Sequence, residues 1–471
     1  MSIFIDRTRE LAALRERYMG DAAEFLILYG RRRIGKSELI ERFLHSVHGI
    51  RLLAREESKH LQLKKFSESC AHFFSDDFLK NTAFADWDSF FSYLLKKTDE
   101  RILIAIDEFP YLVKEDPSLP SIIQDYWDTH LRHSRIFLVL SGSSISMMEE
   151  LTMGHGSPLY GRRTGQILLK GFSFGDVLDY VGDFSRAVEF YAVFGGTPAY
   201  IMTIDRDRDI FENISRKILS FDAALSKDVE FVLRMELNEP RYYFSILLSI
   251  ARGNNRIGLI MNDTGLPKGI ITKYLSTLID LQLVNRRIPV TESSRSRKGL
   301  YFLSDNLFDF WFRFVQPAVD LIERGEGDVV LSSSIRPHLS RYVGKHFESM
   351  VQDLLIEFNR SNLLPFRFEK IGSWWDKGRE IDLVAFSEPD TAILFCECKW
   401  QDGVHAQEIL EQLKEKAASV AWNRESRQEY YLIVARSFFR RCLHSEDRVL
   451  CLDAEELACM HREAGMKAEK G

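Results

Sequence analysis

A chain of 471 residues is too long for one ordinary hydrophobic core and implies about three domains. Its 45% hydrophobic and 28% charged residues are those of a globular protein, and a net charge of −6 excludes nucleic-acid binding by bulk charge, so any DNA contact must come from a local basic surface. No apolar run reaches the ~18 residues of a membrane span, Met1–Leu11 has no signal core, and six scattered cysteines match neither a disulfide framework nor a zinc spacing, which predicts a reduced, cytoplasmic setting without a membrane partner.

Residues 1–175 alternate short apolar runs (Phe25–Tyr29, Ile102–Ile106, Ile136–Leu140) with helical patterns such as Glu38–His45 and Ser121–Leu131. Runs that short, bounded by Gly or charge, predict buried parallel strands in an open α/β sheet. The first run leads into Gly30-Arg31-Arg32-Arg33-Ile34-Gly35-Lys36-Ser37-Glu38, a glycine-bounded loop followed by a helix start. Glycines let backbone N–H groups curl around phosphate oxygens, and the helix end adds its positive dipole. Lys36 is placed to reach the β and γ phosphates, and the Ser37 hydroxyl to ligate Mg²⁺. Residues 30–38 are therefore the expected ATP contacts.

The second run ends in Asp107-Glu108. Downstream of such a loop, Asp107 is expected in the Mg²⁺ shell and Glu108 as the residue that polarises the attacking water. The third run ends in Ser141-Gly142-Ser143-Ser144, where Ser141 is a candidate γ-phosphate sensor. The competing role for this segment is to cap the helix beginning near Ile145. Tyr160-Gly161-Arg162-Arg163 offers two guanidinium groups in a loop, either as an arginine finger for a neighbouring subunit's ATP in a homo-oligomer or as exposed charge.

Together FIDRTREL (Phe4–Leu11), GRRRIGKS (Gly30–Ser37), LIAIDEFPYL (Leu103–Leu112), LVLSGSSISMM (Leu138–Met148), SPLYGRR (Ser157–Arg163) and GGTPAYI (Gly195–Ile201) resemble the archaeal-type ATPases of the AAA+/STAND group. The motifs keep the family's order over residues 2 to 235. The resemblance implies a P-loop AAA+-like core followed by a helical lid over 176–238, with Gly195–Tyr200 in the lid reporting nucleotide state.

Residues 239–314 read as a winged helix. Arg256–Ile260, a Gly265 turn and Ile270–Leu281 precede a two-stranded wing, Val284–Pro289 with Gly299–Leu303, tipped by Glu292–Lys298. Lys268, Lys273, Arg286, Arg287, Arg295, Arg297 and Lys298 make a basic patch able to neutralise DNA phosphates, or else a solvated hairpin on a domain used for packing. The aromatic run Leu307–Phe314 reads as core or interface. Residues 315–339 are the expected linker, chiefly Val315–Ser333 with Pro317 and Gly325.

Residues 340–471 open with a helix and then alternate strands and helices, a second small α/β unit. A hairpin joined at Ser387–Thr391 would set Asp382 opposite Glu397, with Glu397 and Lys399 facing one side of a strand. Two carboxylates at that distance suit a divalent metal, and the lysine would stabilise charge developing on phosphate. A surface strand with an ordinary Glu–Lys pair is the alternative. This D…ExK spacing resembles the PD-(D/E)xK nucleases, with Ile381-Asp382 standing where they carry Pro-Asp. The resemblance implies a restriction-endonuclease-like α/β domain with Glu348 as an additional metal ligand and Gln412 as a further matching position. The second half as a whole resembles a domain of unknown function habitually fused to archaeal-type ATPases. The expectation is a multidomain α/β ATPase using ATP and Mg²⁺ whose nucleotide state controls DNA binding or cleavage. Its rivals are a nucleotide-switched DNA-binding regulator and an NTPase acting on protein partners.

Overall fold

The computed structural model describes residues 7–97, 99–237, 240–441 and 448–468, so Phe4–Asp6 of the first motif lie outside the described residues. The chain divides into two compact units, Met1–Gly171 and Phe172–Gly471. The expected boundary near residue 175 falls four residues late, and the segments expected as lid, winged helix and C-terminal domain share the second unit.

The first unit is built on five strands, β1 (Glu24–Tyr29), β2 (Gly49–Leu53), β3 (Ile102–Asp107), β4 (Ile136–Gly142) and β5 (Gly165–Leu168), in the order β2-β3-β4-β1-β5. All pairings are parallel. Parallel strands need crossovers, whose helices cover both faces and leave a core on each. Phe25 and Ile27 accordingly pack with Trp87 and Phe90 on one face, while Leu26 and Leu28 pack with Leu39 and Phe43 on the other. The alternation is that of a pleated strand buried on both sides. The central strands β3 and β4 are buried along their whole length, which made their apolar runs legible. The edge strands β2 and β5 keep half-exposed residues and send no such signal. The arrangement brings Tyr29, Asp107 and Gly142 to the carboxyl edge of the sheet, where open α/β sheets bind ligands.

The second unit starts with helices Phe174–Val181 and Phe184–Phe194, the latter closed by the Gly195-Gly196 turn. A Cβ on Gly196 would come within 2.0 Å of the Phe172 carbonyl, so only glycine fits there. Helices Pro240–Ala251, Ile257–Thr264 and Lys268–Asp280 follow, the second ending on left-handed Gly265, and then the antiparallel pair β6 (Val284–Arg287) and β7 (Leu300–Leu303). The aromatic run Leu307–Phe314 is helical and core, with the Trp311 indole donating to the Ser226 carbonyl at 2.7 Å.

The expected linker is a correction. Residues 316–335 form short helical turns that bury Ile322, Val330 and Ile335, and Gly327 lies so close to the Leu219 carbonyl that a Cβ would stand 2.4 Å from it. Pro317 and Gly325 mark turns between helical pieces, as a proline in a first helical turn and a left-handed glycine do.

The long helix Leu339–Arg360 leads to β8 (Lys370–Asp376), β9 (Arg379–Ser387) and β10 (Ala392–Lys399), an antiparallel meander. The short strand β11 (Val404–His405) and helix Ala406–Ala417 precede β12 (Gln428–Ala435), β13 (Phe438–Arg440) and β14 (Val449–Leu452). β12 and β14 extend the sheet in parallel, in the order β14-β12-β10-β9-β8, and β11 pairs with β13 apart from it.

Candidate nucleotide and carboxylate sites

In the first unit the loop after β1 turns on two glycines. Gly30 passes so close to the Leu169 carbonyl that a Cβ would stand 2.4 Å from it, and Gly35 is left-handed (φ 89°) at the cap of helix Lys36–Leu44. Arg33 is also left-handed (φ 69°), Ile34 is buried with its carbonyl bonded by Arg7, and Glu38 is exposed in the first helical turn. The Lys36 ammonium lies inside the loop and donates to the carbonyls of Gly30 (2.9 Å) and Arg31 (3.0 Å). Arg32 reaches the Tyr111 hydroxyl at 3.0 Å.

The Ser37 hydroxyl donates to Asp107 Oδ2 at 2.7 Å, joining the loop to the end of β3. The Asp107 carboxylate is fully buried, and Arg51 on β2 donates to the same oxygen at 2.9 Å. Arg51 was missed in the sequence because it belongs to an edge strand without a continuous apolar run. Glu108 is left-handed (φ 58°) between β3 and the helix Phe109–Glu115, and it accepts from the Ser143 hydroxyl at 2.9 Å and the Ser143 N–H at 3.3 Å. Ser144 occupies the cap position of helix Ile145–Met153 without a side-chain capping bond, so the serine cluster serves Glu108 rather than that helix. Ser141 is fully buried, and its hydroxyl has no hydrogen-bond partner among the described residues. Arg162 forks onto Asp128 through Nε and a terminal nitrogen (2.8–3.1 Å), and Arg163 donates to Gln166.

In the second unit the β9–β10 register (Cys396 opposite Leu383) carries Asp382 and Glu397 to the same end of the hairpin. The Asp382 carboxylate accepts from the Cys398 N–H at 2.8 Å. Glu397 is buried and receives Lys399 on one oxygen (2.9 Å) and Lys416 on the other (2.6 Å). Lys399 also lies 3.7 Å from Asp382. Burial opposes the Lys399 charge, but Asp382 and Glu397 outweigh it and hold the ammonium above the ordinary lysine range. Burial and the neighbouring Glu397 push Asp382 up, and burial with Asp382 and Glu380 pushes Glu348 up. Gln412 is exposed. Lys416, one turn further along helix Ala406–Ala417, supplies the contact to Glu397, and the i,i+4 spacing from Gln412 was the available signal. Among the described residues no three acidic, histidine or cysteine side chains converge as a metal centre, and both Glu397 oxygens are taken by ammonium groups.

Turn Gly195–Pro198 belongs to the second unit, where the Thr197 hydroxyl donates to Asp305 at 2.8 Å and Asn306 donates to the Tyr191 carbonyl at 2.8 Å. No helix among the described residues is long and apolar enough to cross a membrane.

Residues 4–204 match the ATPase domain predominantly from Archaea, and residues 311–418 match a domain of archaeal and bacterial proteins of unknown function. The uncharacterized protein MJECL04 of Methanocaldococcus jannaschii is 35% identical over 438 residues, 92% of this chain and 96% of that one. Among solved structures, a Walker-type ATPase of Pyrococcus abyssi aligns with a TM-score of 0.50 at 19% identity, covering 66% of this chain and 96% of its own, a likeness of fold. The Aeropyrum pernix ORC2 protein aligns at a TM-score of 0.42 and 13% identity over 70% of this chain and 96% of its own, too distant to carry an argument.

Proposed function

The chain belongs to the family of the Methanocaldococcus jannaschii protein MJECL04 and carries the predominantly archaeal ATPase domain, and from that premise we propose that it is a cytoplasmic protein that binds and slowly hydrolyses ATP with Mg²⁺ at Gly30–Ser37, its nucleotide state controlling DNA binding or cleavage by the C-terminal half. The observation that carries the first part is the 2.7 Å bond from Ser37 to the buried Asp107 beside a lysine already folded into the loop. The hydroxyl and the carboxylate are hard oxygen donors and fit Mg²⁺, which when bound neutralises charge on the β and γ phosphates. Lys36 exchanges the two loop carbonyls for phosphate oxygens. Glu108, held by Ser143, orients the attacking water and accepts its proton. Ser141, a buried hydroxyl with an unmet hydrogen bond, reads the γ-phosphate. Arg162 serves a neighbouring copy's ATP in a homo-oligomer on release from Asp128.

For the second half, the three helices and the β6–β7 hairpin have the order of a winged helix, and Lys268, Lys273, Arg286, Arg295, Arg297 and Lys298 would line its recognition helix and wing. Arg287 of the expected patch instead lies over the Phe302 ring, 4.6 Å from its centroid. The helix, three-stranded meander, helix and parallel strand that follow have the order of a restriction-endonuclease-like domain. Asp382, Glu397 and Glu348 would be its metal ligands and Lys399 its charge stabiliser. As placed, these donors do not converge on a metal, so DNA binding is the leading reading and metal-dependent cleavage the second.

The DNA reading is tested by titrating labelled DNA at several salt concentrations with the wild type and with Arg295→Ala combined with Arg297→Ala. Binding that weakens with salt and is lost in the variant supports it, whereas salt-independent binding untouched by the variant moves the reading to an NTPase acting on protein partners. Incubation with DNA, ATP and Mg²⁺ or Mn²⁺ beside Glu397→Ala tests cleavage. Equal cleavage by both proteins contradicts a nuclease site at Glu397.

A further inference from the structure

The β6–β7 hairpin does not stand free of the C-terminal sheet. The Trp375 indole on β8 donates to the Lys298 carbonyl at 3.2 Å, and the Lys298 ammonium lies 2.9 Å from Asp376. Between the two elements is a hollow of about 630 Å³. Its lining is overwhelmingly cationic, with Arg256, Lys268, Arg295, Arg297, Lys298 and Lys377 against the single acid Asp376, which Lys298 already engages. Arg256, Lys268, Arg295, Arg297 and Lys377 are exposed, and their side chains make no ion pair or hydrogen bond among the described residues. Two half-buried aromatic rings, Trp375 and Tyr301, line the same space.

A concave space of this size takes in a small-molecule-sized group and excludes a rod as wide as a double helix. Five unneutralised cations around it call for a ligand with several negative charges, and aromatic walls call for one that also has flat faces. A single nucleic-acid strand has both, because its backbone tracks basic grooves and its bases stack on aromatic side chains. A second space adjoins the hollow. It measures about 480 Å³, shares Arg256 and Trp375 with the hollow and is lined by Glu348 and Glu380. Glu348 is the acidic position that the D…ExK resemblance adds, so this inner space is lined by one of the carboxylates assigned to the second site.

We propose that the hollow binds single-stranded DNA, with phosphates on Arg256, Lys268, Arg295, Arg297 and Lys377 and a base against Trp375, and directs the strand toward Glu348. This rests on the reading that the C-terminal half binds DNA, and it specifies which form of DNA that half takes. The winged helix alone would prefer a duplex, since its recognition helix reads a major groove. The hollow adds a preference for an unpaired strand or a frayed end.

The test is fluorescence anisotropy of the full chain with a labelled single-stranded oligonucleotide and with its duplex, over a salt series. The comparison proteins are Trp375→Ala, Trp375→Phe and Arg256→Ala combined with Lys377→Ala, and an acidic polyglutamate serves as competitor. Trp375→Ala is expected to weaken single-strand binding about tenfold and Trp375→Phe to retain most of it, with duplex binding nearly unchanged. The double variant is expected to reduce the single-strand salt slope by about 1.4. Single-strand affinity unchanged in all variants, while both DNA forms bind, overturns the hollow and leaves the DNA reading standing. Equal displacement by polyglutamate also overturns it. Binding of neither DNA form by the wild type overturns both.

Discussion

In the proposed function Lys36 and Glu108 divide the nucleotide chemistry between them. Lys36 is the charge inside the phosphate loop, so Lys36→Ala should abolish ATP binding and lower hydrolysis at least ~10²-fold. With Glu108 assigned to the attacking water, Glu108→Gln should leave ATP affinity intact and cut turnover about 10²–10⁴-fold, a split read by equilibrium binding alongside phosphate release. Glu348 makes a pH prediction. Burial and the neighbouring carboxylates raise its folded pKa, so the folded state holds a proton that the unfolded chain releases. Its stabilising contribution is full in acid and is lost as pH rises above the ordinary glutamate range. Glu348→Gln, which stays neutral, should flatten that fall, so its melting temperature should exceed the wild type's at alkaline pH and match it in acid. The residues at these positions were legible where chemistry constrains spacing, as with the loop lysine and serine and the acidic pair ending β3. Arg51, Ser143 and Lys416 were not, because each reaches its carboxylate from another element and only the packing of the elements reveals it.

At the scale of elements, burial on both faces is what a sequence reports best. β1, β3 and β4 announced themselves as uninterrupted apolar runs, whereas β2 and β5 at the sheet edges did not. Val315–Ser333 misled because Pro317 and Gly325 suggested a linker, while Ile322, Val330 and Ile335 around them are buried in short helical turns. The hairpin at 284–303 was legible from its paired apolar runs and basic tip, but its attachment to β8 through Trp375 and Lys298 depends on residues about 78 positions apart. Another long-range tie joins three helices. His461 on helix Ala454–Ala468 bonds Glu357 on Leu339–Arg360 at 2.9 Å and Asp179 on Phe174–Val181 at 3.1 Å. Burial alone would lower its pKa, but the bonds to Asp179 and Glu357 push it up to about 10. A raised histidine stabilises most below its unfolded value and loses that contribution as pH climbs through the folded one. Denaturation midpoints of the wild type should therefore fall between pH ~6.5 and ~10 more than those of His461→Gln. Parallel slopes for the two proteins would contradict the tie.

For the whole molecule, the nucleotide loop lies in one compact unit and both the basic hairpin and the D…ExK carboxylates lie in the other. In the proposed function ATP is a control input: a nucleotide that favours one state of the chain would shift DNA affinity by its differential binding to the two states. The direct measurement is the affinity of the full chain for labelled DNA with a non-hydrolysable ATP analogue, with ADP and with no nucleotide, repeated for Lys36→Ala. The account predicts an affinity that differs about fivefold or more between analogue and ADP in the wild type and is the same under all conditions in Lys36→Ala. One affinity for the wild type under every nucleotide condition, with ATP binding intact, would contradict it.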